Sequence, residues 1–238
     1  MSASPIAVMF DRVSPRYDAL NHLLSFDLDK VWRRKTAKQV AKSQPTAILD
    51  LATGTGDLAL ALAKHIPQAH ITGMDFSEKM LEIGRNKVNK KHLEKRISFQ
   101  MGDAAQIPFP DSCFDAVTSA FGVRNFEHLE QGLSEMLRVV KTNGIIAILE
   151  FSHPVKGIIQ LPYRCYSKHI LPFVGRHVSK HPTAYQYLPE SIESFPNRDR
   201  FVVLLKEIGM DMVEVRSFSG GIATLYYGKV QKSPVSLQ

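Results

Sequence analysis

Cysteine and long apolar stretches are scarce in this chain, and each scarcity removes a class of protein. The two cysteines, Cys113 and Cys165, are too few and too far apart for a disulfide framework or a zinc site. They read as structural thiols in a reducing compartment. No run approaches the roughly 18 apolar residues that cross a bilayer. Met1-Ser2-Ala3-Ser4-Pro5 lacks the charged and apolar blocks of a signal peptide, and no mitochondrial transit peptide is recognisable. The expectation is a cytoplasmic protein. Repeats and low-complexity segments are also missing, so 238 residues at 44% hydrophobic content read as one α/β domain with a sizeable core.

Acidic residues are in the minority, 23 against 30 lysines and arginines, giving a net charge of +7. Such a balance admits nucleic acid, an anionic membrane, or no specific partner. The densest run, Lys87, Lys90, Lys91, Lys95 and Arg96, has no interleaved aromatics to stack bases. It reads as the solvated, dipole-complementing end of a helix, and no nucleic-acid partner is expected. A second group, Arg164, Lys168, His169, Arg176, His177, Lys180 and His181, is mixed with Ile158, Leu161, Tyr163, Ile170 and Phe173. That mixture suits transient contact with an anionic lipid surface, or equally a lid over a site.

The most informative stretch is Ile48-Leu49-Asp50-Leu51-Ala52-Thr53-Gly54-Thr55-Gly56-Asp57, an apolar strand entering a glycine turn before a helix, with Asp75 closing the next strand. Gly54 and Gly56 let backbone N–H groups approach a ligand, and Asp75 can accept both hydrogen bonds of a ribose diol. Asp50 favours S-adenosylmethionine over a dinucleotide, because a carboxylate suits an ammonium and a sulfonium but opposes a pyrophosphate. Ala59, in the third-glycine position, keeps the dinucleotide reading open.

Strands are expected at 48–52, 70–75, 97–101, 115–121 and 145–151, with helices at 58–64, 78–88 and 129–140 between them. This alternation implies a parallel sheet covered on both faces, its crevice at the strand carboxyl ends. A helix over 191–208 and a hairpin, 211–217 with 222–227 across Gly220-Gly221, add an antiparallel finish. The organisation expected is an N-terminal helical lid (1–44), a cofactor-binding core (45–152), a helical insertion (153–190) and a closing helix and hairpin (191–238).

Further blocks run along nearly the whole chain: Met9-Phe10-Asp11-Arg12-Val13-Ser14-Pro15-Arg16-Tyr17-Asp18-Ala19-Leu20-Asn21-His22, Trp32-Arg33, Pro108-Phe109-Pro110-Asp111, Phe121-Gly122-Val123-Arg124-Asn125, Leu149-Glu150-Phe151-Ser152, Tyr185-Gln186-Tyr187-Leu188-Pro189-Glu190 and Ser219-Gly220-Gly221-Ile222-Ala223. In content and order they resemble the ubiquinone and menaquinone biosynthesis C-methyltransferases. Departures are local: Lys141-Thr142-Asn143-Gly144 stands where the family usually has Lys-Pro-Gly-Gly, Ala120 replaces a serine some relatives use, and Ala184 and Pro189 differ from the commoner Ser and Ala.

The resemblance implies a Rossmann-like class I methyltransferase with a mostly parallel seven-stranded sheet. It implies S-adenosylmethionine bound by Asp50, Gly54, Thr55, Gly56, Asp75, Asp103 and Ala104. The reaction implied is methyl transfer to a ring carbon of a prenylated quinol, demethylmenaquinol before a ubiquinone precursor, with no metal. A homo-oligomer or a biosynthetic complex is compatible with it. Arg124 is the main candidate for holding a substrate phenolate, Asn125 for orienting a ring hydroxyl, and Tyr17, Asp18 and His22 for a lid cluster in which Asp18 or His22 is the base. His153, Tyr185 and Tyr187 are further pocket candidates. A methyltransferase acting on another small molecule or on RNA, and a cofactor-binding scaffold without turnover, are the remaining alternatives.

Overall fold

The computed structural model describes residues 5–152 and 182–231. Two helices, α1 (Pro5–Leu24) and α2 (Leu28–Val40), precede an alternating core of β1 (Ala47–Leu51), α3 (Asp57–His65), β2 (His70–Asp75), α4 (Glu78–Lys90), β3 (Ile97–Met101), β4 (Phe114–Ala120), α5 (Leu129–Val139) and β5 (Val140–Phe151). Helices α6 (Pro182–Ser194) and α7 (Arg198–Glu207) and strands β6 (Met210–Phe218) and β7 (Ala223–Val230) complete the described chain.

The seven strands form one sheet in the order β3-β2-β1-β4-β5-β7-β6. Pairings are parallel from β3 through β5, and β7 runs antiparallel to both β5 and β6. The order reverses at β1, flanked by β2 and β4, so a crevice opens there at the strand carboxyl ends. Period-two alternation sends Ile48, Ile145, Ala147 and Leu149 into the layer holding Trp32, Leu58 and Leu62. Leu49, Leu51, Ile146 and Ile148 point into the opposite layer with Leu133, Phe201 and Tyr226. Both faces are covered, as the apolar strands require.

Three differences from the sequence expectation have local causes. Strand β5 starts at Val140 because Phe114 pairs with it before a register shift, and Asn143 supplies the left-handed backbone (φ 62°) anticipated in that turn. The helix expected over 191–208 is two helices. Pro196 disfavours helical backbone at Phe195, and Asn197 starts α7 by accepting a hydrogen bond from Arg200 N at 3.0 Å. The basic run is only partly a solvated helix end. Lys87 turns inward, and the Arg96 guanidinium satisfies terminal carbonyls after α3, reaching Ala63 O at 3.1 Å and Ile66 O at 2.7 Å. The insertion expected to contact lipid, including His153, falls largely outside the described residues, as do the side chain of Tyr185 and the thiol of Cys165.

The crevice is positioned by a tight seat. The Phe99 ring on β3 lies against Gly73 of β2, Gly84 of α4 and Gly56 of the turn after β1, where an added Cβ would fall 2.6, 2.9 and 2.8 Å from the ring. Gly73→Ala should therefore lower stability by about 1–3 kcal/mol in urea titration through overpacking. Adding Phe99→Leu should restore part of that loss. Additive losses in the double variant would show that the ring and Gly73 do not share this constraint.

Candidate active site

A cleft of about 580 Å³ lies over the carboxyl ends of β1, β2 and β4, lined by Phe10 and Tyr17 of α1, Arg33 of α2, the turn from Ala52 to Thr55, Asp50, Asp57, Asp75, and the stretch Ala120 to Gly122 with Asn125. Ala52 and Phe121, each the first residue beyond a strand, adopt left-handed backbone, with φ of 51° and 61°. They cost about 1–2 kcal/mol each and turn the chain sharply out of the sheet. The two strand ends approach so closely that a Cβ on Gly122 would lie 2.5 Å from that of Ala52.

Asp75 organises the turn. Its Oδ2 accepts from Gly54 N at 2.8 Å, and its Oδ1 from Ser77 N at 2.9 Å. Gly54 (φ 57°) and Gly56 (φ 78°) both take the left-handed conformation, and the space above Gly54 is open. Asp50 accepts from Thr53 Oγ1 at 2.6 Å and Thr118 Oγ1 at 2.7 Å. Burial pushes both carboxyls up to about 6, in spite of these hydrogen bonds. Three carboxylates and one guanidinium line the cleft, and that guanidinium, Arg33, is itself paired with Asp29. Such a lining fits a ligand carrying positive charge and hydroxyl donors, and it opposes a pyrophosphate.

The first helix closes one side. Asp18 Oδ1 accepts from Thr55 Oγ1 at 2.6 Å, and its Oδ2 lies 2.6 Å from Lys87 Nζ. Lys87 also reaches Asp57 at 2.6 Å. Ser77 Oγ donates to Asp11 at 2.5 Å while accepting from Met80 N at the start of α4. His22 Nδ1 is 2.9 Å from Asp29, and its Nε2 is 3.7 Å from Asp57. His22, Asp29 and Asp57 lie close enough to suggest a cation site, but Arg33 and Lys87 already neutralise the two carboxylates.

Beneath the opposite wall, Arg124 and Glu150 form a buried ion pair at 2.8 Å, their side chains 5% and 0% exposed. Arg124 also donates to Phe121 O and, through Nε, to Ser191 Oγ at 3.3 Å. Glu150 accepts in addition from the backbone N–H groups of Phe151 and Arg124. The Phe121 and Phe151 rings stack at 4.4 Å, with Arg33 over Phe121 and Arg124 over Phe151. Trp32 packs on both rings and donates to Ser219 Oγ at 3.0 Å. Asn125 Oδ1 accepts from Tyr187 OH at 2.9 Å. Burial raises the phenols of Tyr17 and Tyr187 against the opposing field of Arg124, so both stay protonated donors at neutral pH.

The anticipated residues therefore divide. Asp50, Gly54, Thr55, Asp75, Tyr17 and Asn125 line the cleft, whereas Gly56 stands behind it against Phe99. Arg124 lies under the wall, and Asp18 and His22 bind α1 to the core. Asp103 and Ala104 follow β3 outside this lining; Asp103 is exposed in a turn, where its Oδ1 accepts from Ala105 N at 2.9 Å. Sequence reasoning gave no site role to Glu150, Asp29 or Arg33, and read Lys87 only as part of a solvated helix end. Glu150 alone carried a signal, since a lone carboxylate inside the apolar run Ile145 to Phe151 requires a buried partner.

Comparison with known proteins agrees with this geometry. The chain is 42% identical over 224 residues to the demethylmenaquinone methyltransferase of Porphyromonas gingivalis, covering 94% of this chain and 91% of that protein. It is 44% identical over 225 residues to the ubiquinone/menaquinone biosynthesis C-methyltransferase UbiE of Geotalea uraniireducens, covering 94% and 95%. A SAM-dependent methyltransferase from Aquifex aeolicus superposes with a TM-score of 0.59 at 21% identity, over 82% of this chain and 89% of that one, which reflects a shared fold. The model of the ubiE/COQ5 methyltransferase family matches residues 2–230, and this chain belongs to that family of methyltransferases.

Proposed function

We propose that this enzyme transfers a methyl group from S-adenosylmethionine to a ring carbon of a prenylated hydroquinone, converting demethylmenaquinol to menaquinol. The observation that carries the substrate assignment is the near full-length match, above 40% identity, to relatives named for that step. A benzoquinol precursor of ubiquinone is the second reading, favoured by the relatives named for both pathways. Bound in the cleft, S-adenosylmethionine supplies an electrophilic methyl on a sulfonium. Asp75 would hold its ribose diol, Asp50 and the Thr53 to Thr55 turn its cationic end, and Asp103 and Ala104 its adenine edge.

Carbon attack requires electron density at the ring position, so a phenol titrating near ~10 must be ionised. The Tyr17 hydroxyl, kept protonated by burial, lines the cleft and can donate to an anionic ring oxygen there, and the positive field of Arg124, which reaches Tyr17 and Tyr187 from under the wall, favours that charge. Glu150 holds the Arg124 guanidinium in place, and Asn125 orients Tyr187. We assign Asp18 and His22 to closing the lid rather than to proton abstraction, because their polar atoms are engaged by Thr55, Lys87 and Asp29. A dry, aligned cleft supplies the remaining acceleration. The prenyl tail stays in the bilayer, so the enzyme works at a membrane surface. No helix among the described residues is long and apolar enough to span one.

Mass analysis of quinones from cells lacking this protein should show a naphthoquinone one methyl short; a normal quinone pool would overturn the assignment. Cofactor affinity should depend on pH with a definite sign. The carboxyls of Asp50 and Asp75 titrate at about 6 in the folded enzyme, against 3.8 in an open chain. They are ionised above that value, and a cationic ligand prefers the ionised form. Calorimetry should therefore find tight binding at pH 7.5–8, weakening by about tenfold per pH unit for each carboxyl below about 6. Without ligand the same shift lowers folding stability as pH rises from about 4 to 6, because the native state binds the extra protons. Asp75→Asn should weaken binding by roughly tenfold and flatten the profile. Arg124→Lys keeps a charge for Glu150 but loses the fork; turnover should drop by about tenfold or more while cofactor affinity changes little. Wild-type turnover in that variant would remove Arg124 from the reaction.

A further inference from the structure

The cleft is lined by a single cationic side chain, Arg33, against the carboxyls of Asp50, Asp57 and Asp75. Its side chain is only 11% exposed, so its donors have little access to bulk water. A guanidinium carries five N–H donors on three nitrogens. Nη1 donates to Asp29, one turn earlier on α2, and among the described residues no hydrogen bond engages Nε or Nη2.

Asp29 fixes this group and has no capacity for its remaining donors. Its Oδ2 also meets His22 Nδ1 at 2.9 Å, and its Oδ1 accepts from Ser25 Oγ at 2.7 Å. Burial pushes the Asp29 carboxyl up, but Arg33, Ser25 and His22 together bring it below its ordinary value, so it stays ionised. On the other side the guanidinium lies over the Phe121 ring, its Cζ 5.1 Å from the centroid. An arginine anchored by an ion pair and a ring still offers a planar N–H fork, which matches the two oxygens of a carboxylate.

The anion that meets this fork has to sit near Asp50, because the charge of Arg33 bears on Asp50 as well as on Tyr17, both of the cleft lining. A cation and a carboxylate placed near one another suit an amino-acid zwitterion, whose ammonium and carboxylate stand on one carbon. S-adenosylmethionine carries that group beside its sulfonium. A lining of carboxylates alone would repel its carboxylate. The substrate phenolate is the competing anion, and Asp50 argues against it, since a neighbouring carboxylate opposes ionisation of a phenol.

We infer that Arg33 receives the α-carboxylate of S-adenosylmethionine, with Asp29 as its positioning residue, so that the cleft selects adenosyl ligands carrying a free carboxylate. The inference rests on S-adenosylmethionine as the ligand of this cleft and is independent of which quinol is methylated.

The test is calorimetric binding, without turnover, of three ligands to the full chain: S-adenosylmethionine, its decarboxylated form, which keeps the sulfonium and the amine, and 5′-methylthioadenosine, which lacks the amino-acid portion. Wild type should prefer S-adenosylmethionine to the decarboxylated form by about tenfold to a hundredfold, the range for charge-assisted hydrogen bonds. Arg33→Gln should abolish that preference through weaker binding of S-adenosylmethionine. The decarboxylated ligand should bind at least as well as before, because a repelling cation is gone, and 5′-methylthioadenosine should be unaffected. Arg33→Lys keeps a charge for Asp29 but loses the fork, and Asp29→Asn frees the fork to swing; each should narrow the preference by severalfold, and either serves if the glutamine variant does not fold. Equal affinity of wild type for the first two ligands overturns the inference. So does an equal loss for all three ligands in the variants, which would make Arg33 a support of the cleft as a whole. Unchanged cofactor affinity with lost turnover would overturn it in favour of the phenolate. Failure of wild type to bind any of the three would sink the ligand and the inference together.

Discussion

The site depends first on the carboxylate of Asp75. One oxygen closes the glycine turn through Gly54 N and the other starts α4 through Ser77 N. Ser77 carries the constraint onward, capping α4 at Met80 and holding Asp11 of the first helix. A single buried side chain thus fixes the glycine turn, the following helix and α1 relative to one another. Burial raises its carboxyl to about 6, in spite of the backbone donors that favour its charged form. The same group builds the cradle at the strand ends.

Two polar clusters flank that cradle and behave differently. The Asp18, Thr55, Lys87 and Asp57 cluster is partly exposed, with side chains 22–25% accessible for its charged members, so its bonds are individually modest and exchange with water. The Arg124 and Glu150 pair is sealed, and removing either partner would strand a buried charge at a cost of about 3–5 kcal/mol. That suits a fixed electrostatic fixture beneath the wall. Between them the Trp32, Phe121 and Phe151 rings form an apolar partition that ties α2, the end of β4 and the end of β5 together.

Much of the architecture was legible in the sequence because its signals are local. Apolar runs marked β1, β2 and β4, Gly54 and Gly56 marked the turn, and Gly220-Gly221 marked the last hairpin, where both glycines take positive φ. The site was legible only where chemistry coincides with a motif, as at Asp50 and Asp75. What escaped was pairing across distance. Nothing local joins Lys87 to Asp18, Phe99 to Gly73 and Gly84, or Arg124 to Glu150, and nothing announces that Ala52 and Phe121 take glycine-like backbone. These features arise from strand order, which brings residues far apart in sequence to one edge of the sheet.

That strand order also sets a schedule for making the protein. Strand β7 sits between β5 and β6, yet it follows both in the chain. Until it has been synthesised, the edge of β5 from Ile145 to Phe151 has no antiparallel partner and the nascent sheet ends in an open, apolar ladder. At about 5–20 residues per second, the ribosome leaves that edge bare for on the order of several seconds. Emerging chains are therefore most prone to mispairing with one another in this interval, and the last strand acts as the closing stave that ends it.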